Sequence, residues 1–147
     1  MSKVLGIIPA RMGSTRFPGK PLINIHGKPM IQWVWERCQQ SKKVHHWIIA
    51  TDHIDIYNMV QSFGGNAMMT SEMHKSGTDR CIEVLDHQID NFTHVINVQG
   101  DEPLISPEQI DSLTDTLLKS QAPIATLIKK NHHFQDFQNP NRVKVVI

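Results

Sequence analysis

The chain has 147 residues, of which 39% are hydrophobic, and a formal net charge of +1; it can form one domain with a sizeable core, and its charge gives no reason to expect a nucleic-acid or membrane partner. Cys38 and Cys81 form no C-x-x-C pair, which argues against a zinc site or disulfide framework and predicts reduced, buried thiols in a cytoplasmic protein. The N-terminal apolar run ends at Pro9, as expected of a strand rather than a signal peptide, and no apolar stretch is long enough to span a bilayer.

The first predicted element is a buried strand over 4–8, which leads into a loop rich in glycine and proline. The loop holds Arg11, Arg16 and Lys20, three cations that would repel one another unless an anion joined them, and Ser14 adds a hydroxyl donor. Solvated loop charges are the alternative, but flanking prolines stiffen the loop and favour fixed charges. The pattern therefore favours a polyphosphate site.

The next elements predict an alternation of helices and strands. A short apolar segment over 22–25 precedes a helix opened by Pro29, and a second strand over 47–50 ends just before Asp52. The carboxyl ends of strands in an open α/β sheet face the ligand crevice, so Asp52 could contribute to a site. Asp is also a leading N-cap residue, and we favour that capping role for the helix that follows.

A third strand, over 66–69, leads into a loop of small polar residues and then into another helix. Ser76, Gly77 and Thr78 stand where that helix begins, and backbone N–H groups at a helix N-terminus can meet a base or a phosphate. Capping by Ser76 or Thr78 alone would explain part of the pattern. The predicted inward-facing residues of the helix are Ile82, Leu85 and Ile89.

The fourth strand, over 94–98, is followed by two adjacent carboxylates, Asp101 and Glu102. Mg²⁺ prefers one or two carboxylates together with substrate phosphates, so this is the best metal-site candidate in the chain. A turn closed by Pro103 is the structural alternative. Side chains alternate along an extended chain, so Glu102 would point away from Asp101 and we do not assign it to the metal.

The last predicted elements are a helix and two strands. A capping box from Ser106 to Gln109 starts the helix, strands follow over 124–128 and 142–147, and a polar loop separates them. The predicted inward-facing residues of the helix are Ile110, Leu113 and Leu117. Strands that alternate with helices predict an α/β fold with a mainly parallel sheet and helices on both faces.

Several irregular segments resemble the 3-deoxy-manno-octulosonate (Kdo) cytidylyltransferases, also called CMP-Kdo synthetases. The resemblance lies in IPAR (8–11), STR (14–16), PGKPL (18–22), the H-x-S-G-T-acidic-R run (74–80) and NVQGDEP (97–103). It implies a nucleotide-diphospho-sugar transferase-like fold. It also implies transfer of the cytidylyl group of CTP to Kdo, giving CMP-Kdo and pyrophosphate for lipopolysaccharide biosynthesis.

The resemblance also implies roles for individual residues. It gives Arg11, Lys20 and Asp101 as catalytic residues, with Asp101 as the Mg²⁺ ligand. The residues implied to contact the nucleotide are Ala10, Arg11, Ser14, Arg16, Lys20, Ser76, Gly77, Thr78, Arg80 and Gln99. Family members run on for roughly another hundred residues, so residues 1–147 are expected to be the nucleotide-binding portion of a single domain, and the full-length protein a homodimer.

Three other functions stay open. A cytidylyltransferase for another sugar acid, such as sialic acid, would use similar chemistry. A non-catalytic nucleotide-binding or assembly module would bind nucleotide without releasing pyrophosphate. A generic NTPase fits poorly, because five residues rather than four separate Gly13 from Gly19, and Pro21 stands where a Walker loop has Ser or Thr.

Overall fold

The computed structural model describes residues 2–13, 17–120, 122–130, 138–140 and 143–145. The elements in chain order are β1 (Val4–Ala10), a 3₁₀ turn (Lys20–Leu22), β2 (Asn24–Ile25), β3 (Lys28–Pro29), α1 (Met30–Cys38), β4 (His46–Thr51), α2 (Ile54–Ser62), β5 (Ala67–Met69), α3 (Gly77–Asp86), β6 (His94–Asn97) and α4 (Pro107–Lys119). Within the described part of the chain, no helix has the length and apolar character needed to cross a bilayer.

Four strands form a parallel sheet in the order β5-β4-β1-β6, and β2 and β3 form a separate antiparallel hairpin. Strand β1 lies between two neighbours, and its central residue Ile7 is in register with Ile48 on one side and Asn97 on the other. All seven residues of β1 are buried, which explains why its sequence is a continuous apolar run and not an alternation. The predicted mainly parallel α/β fold is confirmed.

Helices cover both faces of the sheet, as predicted. On one face, the larger core cluster includes Ile31 of α1, Ile56 of α2 and Ile110 of α4. On the other face, Cys81 and Val84 of α3 pack against alternate residues of β1 and β4.

Both cysteines are buried free thiols. Burial raises the pKa of the Cys38 thiol to about 12 and that of Cys81 to about 11. Thiolate is the reactive form of cysteine, so both residues act as small apolar core groups at neutral pH, as predicted.

Gly6 in the middle of β1 accommodates the indole ring of Trp47. A Cβ atom at position 6 would lie 2.2 Å from Trp47 Cε3, so any side chain there must displace the ring. We expect Gly6→Ala to lower the free energy of unfolding by about 1–3 kcal/mol, the usual cost of overpacking a core. Urea denaturation followed by circular dichroism measures this loss.

The matched control for Gly6→Ala is the double variant Gly6→Ala/Trp47→Leu. Removal of the indole ring creates space for the new methyl group, so the double variant should lose less stability than the two single variants together. A loss equal to their sum would show that the two sites do not interact.

Most residues of α3 that face the core are not the ones predicted from the sequence. Its inward residues are Arg80, Cys81 and Val84, whereas Ile82 is 52% exposed and Ile89 lies beyond the end of the helix. The capped N-terminus fixes the helical phase so that residues three, four and seven positions after Gly77 face the sheet. Of the predicted residues, Leu85 packs against the core.

The starts of α1 and α2 differ in detail from the prediction, whereas the start of α4 agrees with it. Pro29 belongs to the β2-β3 hairpin and precedes α1, which begins at Met30. The N-cap of α2 is His53, whose Nδ1 accepts a hydrogen bond from the Asp55 N–H at 3.3 Å, so the predicted capping role of Asp52 is wrong. The capping box at α4 is confirmed, with Pro107 at the first helical position.

The inward face of α4 was predicted in part. Ile110 is buried as predicted, Leu113 and Leu117 are half-buried, and Thr114 is also buried. Thr114 can face the core because its hydroxyl donates a hydrogen bond to the Ile110 carbonyl at 2.8 Å.

The two predicted C-terminal strands are absent from the described residues. Residues 122–130 form no strand, and Ile124 is 82% exposed. Of the predicted strand over 142–147, residues 143–145 form no strand and the other residues lie outside the described ranges, as does most of the predicted polar loop. An extended segment becomes a strand only when a neighbour pairs with its backbone, and no described strand pairs with either segment.

Candidate functional site

A cavity of about 190 Å³ lies at the carboxyl ends of β1 and β6, beside the N-terminus of α3. Of the residues singled out from the sequence, it brings together Ala10, Arg11, Lys20, Ser76, Gly77, Arg80, Gln99 and Asp101. This is the position expected for a ligand site in an open parallel sheet. Segments nearly ninety residues apart in the sequence therefore meet at one edge.

One predicted nucleotide contact among the described residues does not line the cavity. Thr78 is exposed on α3 and does not line the cavity. Ser14 and Arg16 lie outside the described residues.

The segment after β6 continues along the end of β1. The Val98 N–H donates to the Ile7 carbonyl at 3.0 Å, and the Gly100 N–H donates to the Pro9 carbonyl at 3.2 Å. A Cβ atom at position 100 would lie 2.8 Å from the Pro9 carbonyl oxygen, so this approach requires glycine. Gln99 and Asp101 are thereby held at the cavity.

Lys20 and Asp101 form an ion pair at the cavity, with Lys20 Nζ 2.7 Å from Asp101 Oδ2. Gly19 directs the chain toward this contact from the left-handed region, at φ 72°, and its N–H donates to the Met12 carbonyl at 3.0 Å. The two side chains are 37% and 49% exposed, so water screens the pair and its net energy is small. Either charge can therefore exchange its partner for a ligand.

The residues present fit a metal ion that arrives with substrate phosphates. Asp101 is the one carboxylate among the described residues that lines the cavity. No group of three His, Cys, Asp or Glu side chains able to hold a metal occurs in the described ranges. Mg²⁺ is commonly held by one or two carboxylates while phosphates and water complete its coordination. Glu102, the adjacent acid, is exposed and does not line the cavity.

The N-terminus of α3 supplies one wall of the cavity. Ser76 is the N-cap: its Oγ accepts from the Asp79 N–H at 3.1 Å, while Asp79 Oδ2 accepts from the Ser76 N–H at 3.2 Å. The hydroxyl of Ser76 is thus used in capping, and the ligand-facing donors of a helix end are the first backbone N–H groups, which have no partner within the helix.

Arg80 lines the cavity, and its guanidinium group is already engaged by protein groups. It lies 2.6 Å from the Asp52 carboxylate, at the end of β4, and it donates to Thr70 Oγ1. Asp52 therefore contributes to this edge of the sheet through an ion pair. The α/β topology predicted the location of Asp52, but no sequence pattern identified Arg80 as its partner.

His74 also lines the cavity and was not singled out from the sequence. Its Nε2 contacts the Glu83 carboxylate on α3. Hydrogen bonds from the Ser71 N–H and from His74 hold the pKa of Glu83 below its usual value. The place of His74 in the H-x-S-G-T run was the signal that could have identified it.

The cytidylyltransferase family model matches residues 5–147. Relatives named 3-deoxy-manno-octulosonate cytidylyltransferase include that of Parabacteroides distasonis, 47% identical over all of this chain and 59% of its own length. The enzyme of Thermodesulfovibrio yellowstonii is 49% identical over 95% of this chain and 57% of its own length. These relatives confirm the resemblance.

The solved structure of CMP:2-keto-3-deoxy-manno-octonic acid synthetase complexed with CTP superposes with a TM-score of 0.77 at 46% identity. That match covers 82% of this chain and 49% of the synthetase chain. The matches thus cover 49–59% of the length of these similar proteins. From the family match over residues 5–147, the chain belongs to the cytidylyltransferase family.

Proposed function

We propose that residues 1–147 are the nucleotide-binding portion of a single cytidylyltransferase domain that transfers the cytidylyl group of CTP to Kdo. The products would be CMP-Kdo and pyrophosphate, for lipopolysaccharide biosynthesis. The observation that carries the proposal is the cavity in which Arg11 and Lys20 lie with Asp101, at the carboxyl ends of parallel strands. The names of the relatives support the choice of sugar acid.

In the proposed reaction, the anomeric hydroxyl of Kdo attacks the α-phosphate of CTP, and the bond to the leaving pyrophosphate breaks. Negative charge increases on the transferring and leaving phosphates, so the protein must supply positive charge in fixed positions. Arg11 and Lys20 would neutralise the triphosphate, with Arg16 from the preceding loop. Mg²⁺ held by Asp101 would supply further charge neutralisation.

The remaining contacts would orient the nucleotide. The backbone at Ala10 and the first N–H groups of α3, at Gly77 and Thr78, would donate to it. The Gln99 amide and the Ser14 hydroxyl would add polar contacts. Arg80 enters this proposal through its contact with Asp52, which is taken up below.

We further propose that the complete protein is a cytoplasmic homodimer that takes CTP and Kdo and binds neither nucleic acid nor membrane. The net charge of +1 over residues 1–147 gives no reason to expect a nucleic-acid or membrane partner. The homodimer follows from the resemblance, and light scattering of the complete protein would test it.

The proposed function is tested by pyrophosphate release from the complete protein. We expect release only when CTP, Kdo and Mg²⁺ are all present, with UTP, ATP and GTP at least about tenfold less effective, which is 1.4 kcal/mol of discrimination. Faster turnover with sialic acid than with Kdo would replace the sugar acid in the proposal. Nucleotide binding without release would favour a binding module, and phosphate release without any sugar acid would favour an NTPase.

A further inference from the structure

A buried ion pair joins α3 to the end of β4, directly beside the cavity. Arg80 Nη2 donates to Asp52 Oδ2 at 2.6 Å, and Nη1 donates to Thr70 Oγ1. Arg80 is only 2% exposed, and the Asp52 side chain is largely buried. Buried ion pairs are poorly screened, so this contact constrains the position of the helix far more than a surface pair would.

Thr70 extends the contact to the sheet. Its Oγ1 donates to the Thr51 carbonyl at 3.1 Å, and its N–H donates to the same carbonyl at 2.8 Å. Thr51 is the last residue of β4 and is in register with Ala10, the last residue of β1. A continuous series of hydrogen bonds and strand pairing therefore runs from Arg80 to Ala10, which lines the cavity.

The N-terminus of α3 lies one turn before Arg80 and also lines this cavity, through Ser76 and Gly77. It packs closely on the end of β1, since a Cβ atom at position 77 would lie 3.3 Å from Pro9 Cγ. Apolar contacts of Cys81 and Val84 hold the helix on the sheet, but such contacts are non-directional. The planar guanidinium group supplies the directional contacts that fix the helix along its axis.

We propose that Arg80 and Asp52 are positioning residues for nucleotide binding: their ion pair sets the N-terminus of α3 against the end of β1. Arg80 then acts through Ser76 and Gly77, because both of its terminal nitrogens are engaged with Asp52 and Thr70. The inference rests on the proposed function, which supplies CTP as the ligand.

The alternative is that Arg80 contacts a phosphate of the nucleotide directly, and the two possibilities predict opposite effects of neutralising Asp52 on the affinity for CTP. If Asp52 were only a competing counter-ion, its neutralisation would free the guanidinium group, and CTP would bind more tightly. If the pair positions the helix, the same substitution lets α3 shift and CTP binds more weakly. Asp52→Asn keeps the size of the side chain and removes its charge, so it separates the two cases.

The experiment measures the Kd of CTP for the complete protein, at a temperature at which circular dichroism shows each variant to be folded. We expect Asp52→Asn to raise Kd about ten- to a hundredfold, as small misplacements of binding groups do. Thr70→Val, which removes only the hydroxyl group, should raise Kd about three- to tenfold. The double variant Asp52→Asn/Arg80→Met should bind no more weakly than the weaker single variant, because the pair acts as a unit.

Steady-state kinetics distinguish positioning from a general loss of structure. In Asp52→Asn, the KM for CTP should rise while the KM for Kdo stays within about twofold; partial unfolding would lower kcat and leave both KM values unchanged. The matched control is Glu36→Gln. This substitution breaks the ion pair between Lys28 Nζ and Glu36 Oε2, which are 2.8 Å apart, and neither residue lines the cavity. It should not change the Kd of CTP. If Arg80→Met does not fold, Asp52→Asn and Thr70→Val decide the matter.

An unchanged or lower Kd of CTP in Asp52→Asn would overturn this inference and leave the proposed function in place. No CTP binding by the unsubstituted protein would overturn both. The two failures are therefore distinguishable in one set of titrations.

Discussion

Asp101→Ala in the complete protein should reduce Mg²⁺-dependent pyrophosphate release by about a thousandfold or more. The magnitude follows because a bound metal ion supplies several kcal/mol of transition-state charge stabilisation, and 1.36 kcal/mol corresponds to a factor of ten in rate. Asp101 is the carboxylate that lines the cavity among the described residues, so no described neighbour can replace it. The measurement is the initial rate of pyrophosphate release at saturating CTP and Kdo, over a series of Mg²⁺ concentrations.

The fold should not change in Asp101→Ala. Its partner Lys20 is partly exposed, so loss of this screened pair should cost about 1 kcal/mol or less. The matched control is Glu102→Ala, which removes the adjacent carboxylate outside the cavity and should leave the rate within about twofold. Near-normal turnover in Asp101→Ala would show that Asp101 does not hold the metal. A large loss of activity in Glu102→Ala would show that Glu102 contributes to the metal site, contrary to the proposed assignment.

The location of the cavity could be predicted from the sequence because it depends on strong local patterns. The short apolar run of β1, which ends in a loop rich in glycine and proline, favours a buried strand, and in the parallel sheet its carboxyl end meets that of β6. The rule places all four residues Ala10, Arg11, Gln99 and Asp101 at one edge of the sheet, and the pairing of β1 with β6 in the structure brings them together. The Lys20–Asp101 contact follows from the same geometry once Gly19 turns the loop back.

What the sequence could not show depends on tertiary contacts. Asp is a residue type that commonly caps helices, but His53 is the N-cap of α2, and the Asp52 carboxylate instead forms an ion pair with Arg80. Arginine is rarely buried, so its position on the inward face of α3 contradicts the usual rule, and the apolar Ile82 is exposed in its place. The apolar segment 124–128 has strand propensity, but no described strand pairs with it.

Lys20→Ala should weaken the binding of CTP far more than the binding of CMP. An ammonium group that contacts the distal phosphates contributes a charged hydrogen bond of about 1.5–3 kcal/mol, which corresponds to a ten- to hundredfold rise in the Kd of CTP. CMP lacks those phosphates, so its Kd should stay within about threefold. Calorimetric titration of both nucleotides without Mg²⁺ measures the difference, and Lys43→Ala, which removes an exposed lysine outside the cavity, is the matched control.

Because Lys20 contacts Asp101, the same substitution should change the binding of Mg²⁺ in the direction opposite to that of CTP. In the free protein the ammonium group lies 2.7 Å from Asp101, where it competes with any cation for the carboxylate. Lys20→Ala should therefore strengthen the binding of Mg²⁺ alone while it weakens the binding of CTP alone. A damaged fold would weaken both ligands, and equal losses for CTP and CMP would contradict the placement of Lys20 on the distal phosphates. Opposite changes for the metal ion and the nucleotide are expected only if Lys20 stands between Asp101 and the triphosphate.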